Sequence, residues 1–416
     1  MSRYFLAFCV ALSFVLNGVI LAHATSYVYV PFDDPGATAG TAHPRGINNA
    51  GFVSGWELSG GASIGFVRTP AGTFQQIGGG EIGTRINGIN NTNVVVGTFI
   101  QNSGLQAVQL AAPYSSSAGV GISPGLASQS EAFGINDRAP LNQQIGGTLT
   151  LASNGTVTGF VTPSAFTTVF PGPSGILSMQ VFGLSNKDNG LRYVGTYETS
   201  PGVFQGFYQT SSDASSSVLI TVAGASRTDA FGIQYDQAGT FTFPAVVGRY
   251  TLGGVDHGLL LTNGVASLET IDIAGALGTR LYGVNDLGQI VGEIQANSTH
   301  GFYLTPFADD DLATLEGCLG NPALCASQIL GGFIGDSQSP DAIPCQNTPA
   351  NTALCTAVTN ILALLQGPNA PPVSSFFVES VNGVVAAVPQ APGLLLVASS
   401  GLGILAYRWR SNRRAR

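Results

Sequence analysis

Across residues 25–306, short runs of alternating apolar and polar positions are separated by clusters of Gly, Asn, Asp and Pro. A period of two predicts half-buried strands, and the punctuation between them predicts tight turns. One pattern recurs: Gly, Ile or Val, Asn, a turn, then Val-Gly. It reads Gly46-Ile47-Asn48-Asn49-Ala50-Gly51-Phe52-Val53-Ser54-Gly55 and Gly88-Ile89-Asn90-Asn91-Thr92-Asn93-Val94-Val95-Val96-Gly97. The clearest copy is Gly283-Val284-Asn285-Asp286-Leu287-Gly288-Gln289-Ile290-Val291-Gly292, and degenerate copies begin at Gly134, Gly183 and Gly232. Successive starts lie 42 to 51 residues apart, the length of a four-stranded propeller blade. Gly51 and Gly288 supply positive φ to their turns, and Asn93 fills the same slot as the best substitute for glycine.

A second marker follows each hairpin: Gly65-Phe66-Val67, Gly159-Phe160-Val161, Gly206-Phe207-Tyr208, His257-Gly258-Leu259 and Gly301-Phe302-Tyr303, with Ala107-Val108 as a weaker stand-in. A further strand is predicted after most of these, at Thr73–Ile77, Ala165–Phe170, Val218–Val222 and Ala266–Ile271. Four strands per unit result. The last unit stops at its third strand, Gly301–Leu304, while Ser26–Phe32 resembles a fourth strand with no unit in front of it. Pairing the two closes a ring and removes two exposed edges. The expected fold is all-β, a six-bladed β-propeller-like body over residues 25–306. An open β-solenoid is the alternative, in which the missing strand is a coincidence.

The units resemble the HAF extracellular repeat family, whose copies carry a Gly-Ile-Asn-x-x-Gly-x-Val-Gly core and a His-Gly/Ala-Phe step. The first, second and sixth units carry the resemblance. It implies architecture and a surface location, and brings no catalytic residues with it.

Charge is scarce, at 9% of residues. All 23 acidic residues lie between Asp33 and Glu379 against nine basic ones, a surplus of 14 negative charges that argues against nucleic acid as a partner. Both ends read as addresses. Residues 1–24 have a secretory signal's parts: Arg3, the apolar stretch Tyr4–Leu16, and Ala22 and Ala24 at the positions a signal peptidase reads. The general secretion machinery and signal peptidase are therefore expected partners. At the other end, Val388-Pro389-Gln390-Ala391-Pro392 precedes an apolar run from Gly393 to Tyr407, then Arg408, Arg410, Arg413, Arg414 and Arg416. Such a run, extended by snorkelling of Trp409 and the arginine stems, reads as a membrane helix with its basic end held in the cytoplasm. Residues 388–416 resemble the PEP-CTERM sorting signal, although Gln390-Ala391 separate the two prolines where the family reads Pro-Glu-Pro. The resemblance implies processing by exosortase, a membrane transpeptidase of bacteria that make exopolysaccharide. Export, inner-membrane tethering, and then the cell surface or matrix of a Gram-negative bacterium follow as expectations.

Residues 307–387 carry Cys318, Cys325, Cys345 and Cys355. An even count in an exported chain predicts two disulfides, and of three pairings the local ones, Cys318–Cys325 and Cys345–Cys355, close the shortest loops. Ala357–Gln366 reads as a helix, and Val373–Val388 as a strand pair or stalk. Asp309, Asp310 and Asp311 with Glu316 offer hard oxygen ligands to Ca²⁺, or a solvated helix start. No other cofactor is expected. Gly61-Ala62-Ser63-Ile64-Gly65 and Gly121-Ile122-Ser123-Pro124-Gly125 match the nucleophile-elbow spacing without the strand-to-helix context it needs. His257 and His300 occupy one repeat position, which points to packing. No catalytic residue is predicted. The expected function is that of a non-catalytic surface protein associated with exopolysaccharide. The alternatives are a propeller glycoside hydrolase or lyase, for which Glu57, Glu81, Glu131, Glu198 and Asp236 would have to gather at one channel mouth, and a surface recognition module for sugar or protein.

Overall fold

The computed structural model describes residues 26–70, 72–115, 119–122, 127–137, 143–162, 168–169, 175–185, 192–209, 217–234, 245–262, 268–307, 377–379 and 381–382. All of the regular structure in these residues is β. Strand β1 (Ser26–Phe32) precedes five antiparallel four-strand sets. The first is β2 (His43–Ile47), β3 (Val53–Ser59), β4 (Ala62–Arg68) and β5 (Phe74–Ile77). The second is β6 (Gly83–Ile89), β7 (Val95–Gln101), β8 (Gly104–Leu110) and β9 (Val120–Ile122). The third is β10 (Ala127–Ile135), β11 (Ile145–Leu151), β12 (Val157–Val161) and β13 (Thr168–Val169). The fourth is β14 (Ser178–Ser185), β15 (Arg192–Ser200), β16 (Val203–Gln209) and β17 (Ser217–Ile220). The fifth is β18 (Arg227–Ile233), β19 (Val246–Leu252), β20 (Val255–Leu261) and β21 (Leu268–Ile271). A last set, β22 (Gly278–Val284), β23 (Ile290–Gln295) and β24 (Thr299–Phe307), takes β1 as its fourth member, in antiparallel register from Ser26↔Phe307 to Phe32↔Gly301. The pairing of the chain's first strand with its last repeat is thus as the sequence predicts. Strands β25 (Phe377–Glu379) and β26 (Val381–Asn382) fall within the expected strand pair, but they add to the outer edges of β1 and β21 instead of pairing with each other.

The hydrophobic core is distributed between neighbouring sets. Val67 and Ile77 meet Ile86 and Val95, Val96 and Ala107 meet Ala132 and Ile145, and Val161 meets Met179 and Tyr193. Val194 and Tyr208 meet Tyr250 and Leu259, and Val247 and Leu260 meet Leu281 and Phe302. The series closes where Val291 and Tyr303 of the last set pack on Ile47, Val53 and Phe66 of the first. Each sheet buries both faces against its neighbours, which is the logic of a propeller-like body.

The repeat glycines make this approach possible. A Cβ on Gly88 would stand 2.5 Å from the Phe133 carbonyl oxygen, and one on Gly134 would stand 2.5 Å from that of Phe182. A Cβ on Gly283 would stand 3.1 Å from Gly46 Cα, across the seam between the last set and the first. The repeat asparagine fastens the same contacts. Asn48 Oδ1 accepts from Ala50 N and Phe52 N, which holds its own turn. Its Nδ2 donates to the Asn90 carbonyl, Asn90 Nδ2 donates to the Asn136 carbonyl, and Asn285 Nδ2 donates to the Asn48 carbonyl. Each hook is one side chain serving two hairpins, so the motif needs an amide rather than Asp or Ser at that position. The fourth and fifth sets carry Ser185 and Gln234 in place of that asparagine.

Candidate functional site

The innermost strands of the six sets surround a central channel. Each lines it with the repeat glycine and one residue on either side of it. The residues just before the glycine form a largely aromatic belt. Phe133 and Phe182 have ring centroids 5.1 Å apart, Phe182 and Phe231 5.2 Å, and Phe231 and Tyr282 4.7 Å, with the Arg45 guanidinium 3.7 Å over Tyr282. Asn87 completes the belt and donates to the Ala132 carbonyl at 2.9 Å.

Two residues further back, the period of a strand places a second tier: His43, Arg85, Glu131, Gln180, Asp229 and Arg280. The register sets one residue of the second strand beside each: Trp56, Thr98, Thr148, Thr196, Arg249 and Glu293. Pairs directly opposite share a face of the sheet, so twelve side chains gather at one mouth of the channel. Five of the nine basic residues between Asp33 and Glu379 stand there or just beside it: Arg45, Arg85, Arg227, Arg249 and Arg280.

Most of the mouth is an ion-pair chain running around the ring. Thr196 Oγ1 donates to Asp229 Oδ1 at 2.8 Å. Asp229 accepts from Arg227 at 2.6 Å and from Arg249 at 2.7 Å. Arg249 and Arg280 converge on Asp256 at 2.8 and 2.6 Å. Arg280 reaches Glu293 at 3.1 Å, and His43 and Arg45 meet the same carboxylate at 2.7 and 3.0 Å. Trp56 stacks on His43 with ring centroids 3.9 Å apart, and the Arg85 guanidinium lies 4.8 Å from the Trp56 ring. Burial works to raise the Glu293 carboxyl, but Arg45 and His43 outweigh it and hold it well below the usual carboxylate range. Asp256 is likewise lowered: its burial is overcome by the Thr251 hydrogen bond and by Arg249 and Arg280. Glu131 goes the other way, raised by burial and only partly relieved by Arg85.

Of the five acids that a hydrolase mouth would require, the four among the described residues do not gather. Glu131 alone is in the tier. Glu81 accepts from Asn102 on the exterior, Glu198 accepts from Ser178 and Gly202 N, and Glu57 lies buried beside Asp34. Asp236 lies outside the described residues, as do Ala22, Ala24, the four cysteines, Asp309, Asp310, Asp311 and the sorting residues from Val388 to Arg416. Among the described residues no group of three His, Cys, Asp or Glu side chains is placed to hold a metal, and no helix is long and apolar enough to cross a membrane. Ser63 sits on hairpin strand β4, so its Gly-x-Ser-x-Gly match is a turn and strand, not an elbow. His257 and His300 repeat one arrangement, with Nδ1 2.7 Å from Asp272 and 2.6 Å from Asp33 respectively.

The acids that do converge, Asp229, Asp256 and Glu293, were legible only in part. Asp229 stands three places before a repeat glycine, a position open to inspection in all six copies. Asp256 and Glu293 come from neighbouring strands, and only the register brings them in.

Glu57 is fully buried, its Oε1 3.4 Å from Gln76 Nε2, and its carboxyl hydrogen bonds to Asp34. Burial first, then the Asp34 hydrogen bond, push it up to about 8. A folded value above the unfolded 4.5 means the native state binds the extra proton, so stability falls as pH rises from 4.5 to 8 and then levels off. Glu57→Gln keeps a donor toward Asp34 without a charge. We expect it to gain about 3 kcal/mol over wild type at pH 8.5 and nothing at pH 4. Urea titrations at both values test this, and an equal change at the two values would refute it.

No family model matches the sequence, and no curated protein matches it. Among solved structures, virginiamycin B lyase from Staphylococcus aureus superposes with a TM-score of 0.40 at 12% identity, covering 67% of this chain and 99% of that one. A candidate TolB from Agrobacterium tumefaciens gives 0.41 at 13% identity, over 69% of this chain and 100% of that one. A streptogramin B lyase gives 0.38 at 12% identity, over 68% and 98%.

Proposed function

We propose that this chain is an exported, surface-associated recognition module, a six-bladed β-propeller that holds its ligand at the arginine-rich mouth of the channel. The observation that carries the reading is the gathering of five arginines and Trp56 at that mouth in a body whose residues 25–306 hold 16 acidic against nine basic side chains. Five guanidinium groups against Asp229, Asp256, Glu293 and Glu131 leave about one positive charge in excess at the mouth, where the rest of the body is negative, and this favours an anionic ligand there. Binding without chemistry is favoured because Asp229, Asp256 and Glu293 are committed to guanidinium groups. Glycoside hydrolysis needs two carboxyl groups flanking one bond, and Glu131 alone is uncommitted there. The terminal segments supply the address: signal peptidase cleavage after Ala24, tethering by the helix over 393–407, and exosortase release near Pro389–Pro392 into an exopolysaccharide matrix. Mass spectrometry of the protein secreted by its native host tests this. The expected C-terminus lies near Pro392 with Cys318, Cys325, Cys345 and Cys355 all oxidised. Recovery of the chain through Arg416 from the outer fraction would refute the sorting step.

A hydrolytic reading has one observation in its favour. Ser298 Oγ lies 2.7 Å from His300 Nε2, and Nδ1 of that ring faces Asp33, which are the distances of a nucleophile, base and orienting acid. The fifth set repeats the His257–Asp272 pair with Val255 in the serine's place, so the pair belongs to the repeat as a tie between strands. A fluorophosphonate probe decides between them: labelling of wild type that Ser298→Ala abolishes would install acyl transfer in place of simple binding.

A further inference from the structure

The outer edges of the sets are finished differently at one register. The marker glycine of the third strand faces Ile77 in the first set, Ile220 in the fourth and Ile271 in the fifth. The two residues before each therefore hold equivalent places on the outermost strand. In the fifth set these are Glu269 and Thr270, which pair with Asn382 and Val381 of β26 and are 8% and 1% exposed. In the first set they are Gln75 and Gln76, whose amides donate to the Pro113 carbonyl and to Asp34. The fourth set places Val218 and Leu219 there, and among the described strands β17 pairs with β16 alone. Val218 is 41% and Leu219 43% exposed, and strand alternation points them to opposite faces. No charged residue and no proline stands between Ala214 and Ser226. Charge and proline are the usual guards of an open edge, so β17 is left ready to accept another strand.

We propose that β17 is a self-association edge, on which a second copy of this chain lays its own β17 antiparallel about a two-fold axis. The edge lies on the outer rim, away from the channel, and its pairing is independent of any ligand at the mouth. The molecule already uses this mode once: β26 adds antiparallel to the equivalent edge of the fifth set, with Val381 opposite Thr270. Hydrogen-bonded and non-hydrogen-bonded pairs alternate along an antiparallel ladder, so a two-fold between identical strands sets one residue opposite its own copy. Leu219 is the counterpart of Thr270. With Leu219 on the axis, Val218 faces Ile220 of the second copy and Ser217 faces Thr221. One face of the joined sheet then gathers Val218 and Ile220 from both copies, and the other gathers the two Leu219 side chains. A partner for this edge has to be uncharged and apolar on both faces, and β17 itself meets that demand. Four residues a side fall short of the roughly 1,200 Å² that a stable complex buries, so the association is weak in free solution. Copies held side by side at one surface gain from their raised local concentration.

Sedimentation velocity of the secreted protein from about 1 to about 300 μM, the range of a small interface, is the test. Wild type is expected to pass from monomer to dimer across that range. Val218→Lys and Leu219→Lys each put a charge on the joined edge and are expected to weaken dimerisation at least about tenfold. Their melting points are expected to match wild type at low concentration, because both side chains are exposed in the monomer. Val203→Lys, at a 41% exposed position on the β15–β16 hairpin, is the control and is expected to dimerise as wild type does. Leu219→Cys is expected to give a disulfide-linked dimer on mild oxidation, because directly opposite residues bring their Cβ atoms to about 4.5–5.5 Å. Val218→Cys, two places off its own copy, is expected to crosslink far less. A wild type that stays monomeric throughout, or a dimer indifferent to both lysines, would overturn the proposal. Crosslinking through Val218→Cys in preference to Leu219→Cys would overturn the axis at Leu219. A monomeric wild type that binds a synthetic peptide of residues 376–384 would overturn pairing between copies and give the edge to an added strap.

Discussion

Gly248→Ala is expected to abolish the folded protein. Gly248 is the glycine of the Val-Gly pair in the fifth unit, opposite Ala230 on the innermost strand. A bulge between Ala230 and Gly232 swings the Asp229 carbonyl over it, and an added Cβ would overlap that oxygen and stand 3.0 Å from Ala230 Cα. Backbone on a central strand cannot yield as a side-chain tip can. The same collision recurs at Gly97, Gly147, Gly195 and Gly292 with the carbonyls of Arg85, Glu131, Gln180 and Arg280. The repeat keeps this glycine because the bulge that aims a mouth residue into the channel also lowers its carbonyl onto the neighbouring strand. We expect a cost of at least about 4 kcal/mol, beyond the usual range for overpacking, and recovery of the variant only as aggregate or degradation product. Gly254→Ala is the control. Its Cβ would meet nothing within 4 Å, but its φ is +86°, so it is expected to cost only about 1 kcal/mol. Equal yields and melting points for Gly248→Ala and wild type would show that the bulge is not rigid.

Glu293→Gln is the second large effect. Its carboxylate is 2% exposed and accepts from His43, Arg45, Arg280 and the Tyr282 hydroxyl. Glutamine turns two donors toward this cluster and leaves buried guanidinium groups uncompensated, at a cost of about 3–5 kcal/mol. The pH dependence has a definite sign. The folded value lies below the unfolded 4.5, because Arg45 and His43 overcome the effect of burial. The stability this contributes is complete above about pH 4.5 and is lost as pH falls through the folded value. Wild type should therefore lose stability on acidification from pH 5 to pH 3, and the variant should lose distinctly less. Denaturant midpoints for both proteins at pH 7 and pH 3 check this. A constant gap between the two curves would mean that the carboxylate is not held in its charged form. Glu57 has the opposite sign, so one body carries an acid-sensitive carboxylate at the channel and an alkali-sensitive one near the chain seam.

How much of this was readable in advance differs from element to element. Asn48-Asn49-Ala50-Gly51 and Asn285-Asp286-Leu287-Gly288 announced hairpins, and the positive φ at Gly51, Asn93 and Gly288 is what those turns require. The bookend argument paired Ser26–Phe32 with the last repeat, and the register bears it out residue by residue. The second marker, Gly-Phe, was visible without its meaning: each of its glycines lies beside a mouth residue of the second strand, as Gly65 lies beside Trp56 and Gly301 beside Glu293. The acids named as candidates were chosen by type, and of the four among the described residues Glu57, Glu81 and Glu198 do not reach the mouth.

The sequence alone determined the strand period, the turns, the repeat length and the need for the first strand to complete the last unit. These are local or one-dimensional properties, fixed by alternation, by glycine and asparagine at positive φ, and by counting. Tertiary structure alone decided which charges meet. Asp229 and Asp256, or His43 and Glu293, come together because sheet register and the wrapping of the ring place separate strands at one height around one axis. Pairing energy falls off within a few ångströms, and no spacing along a chain encodes a distance across a ring.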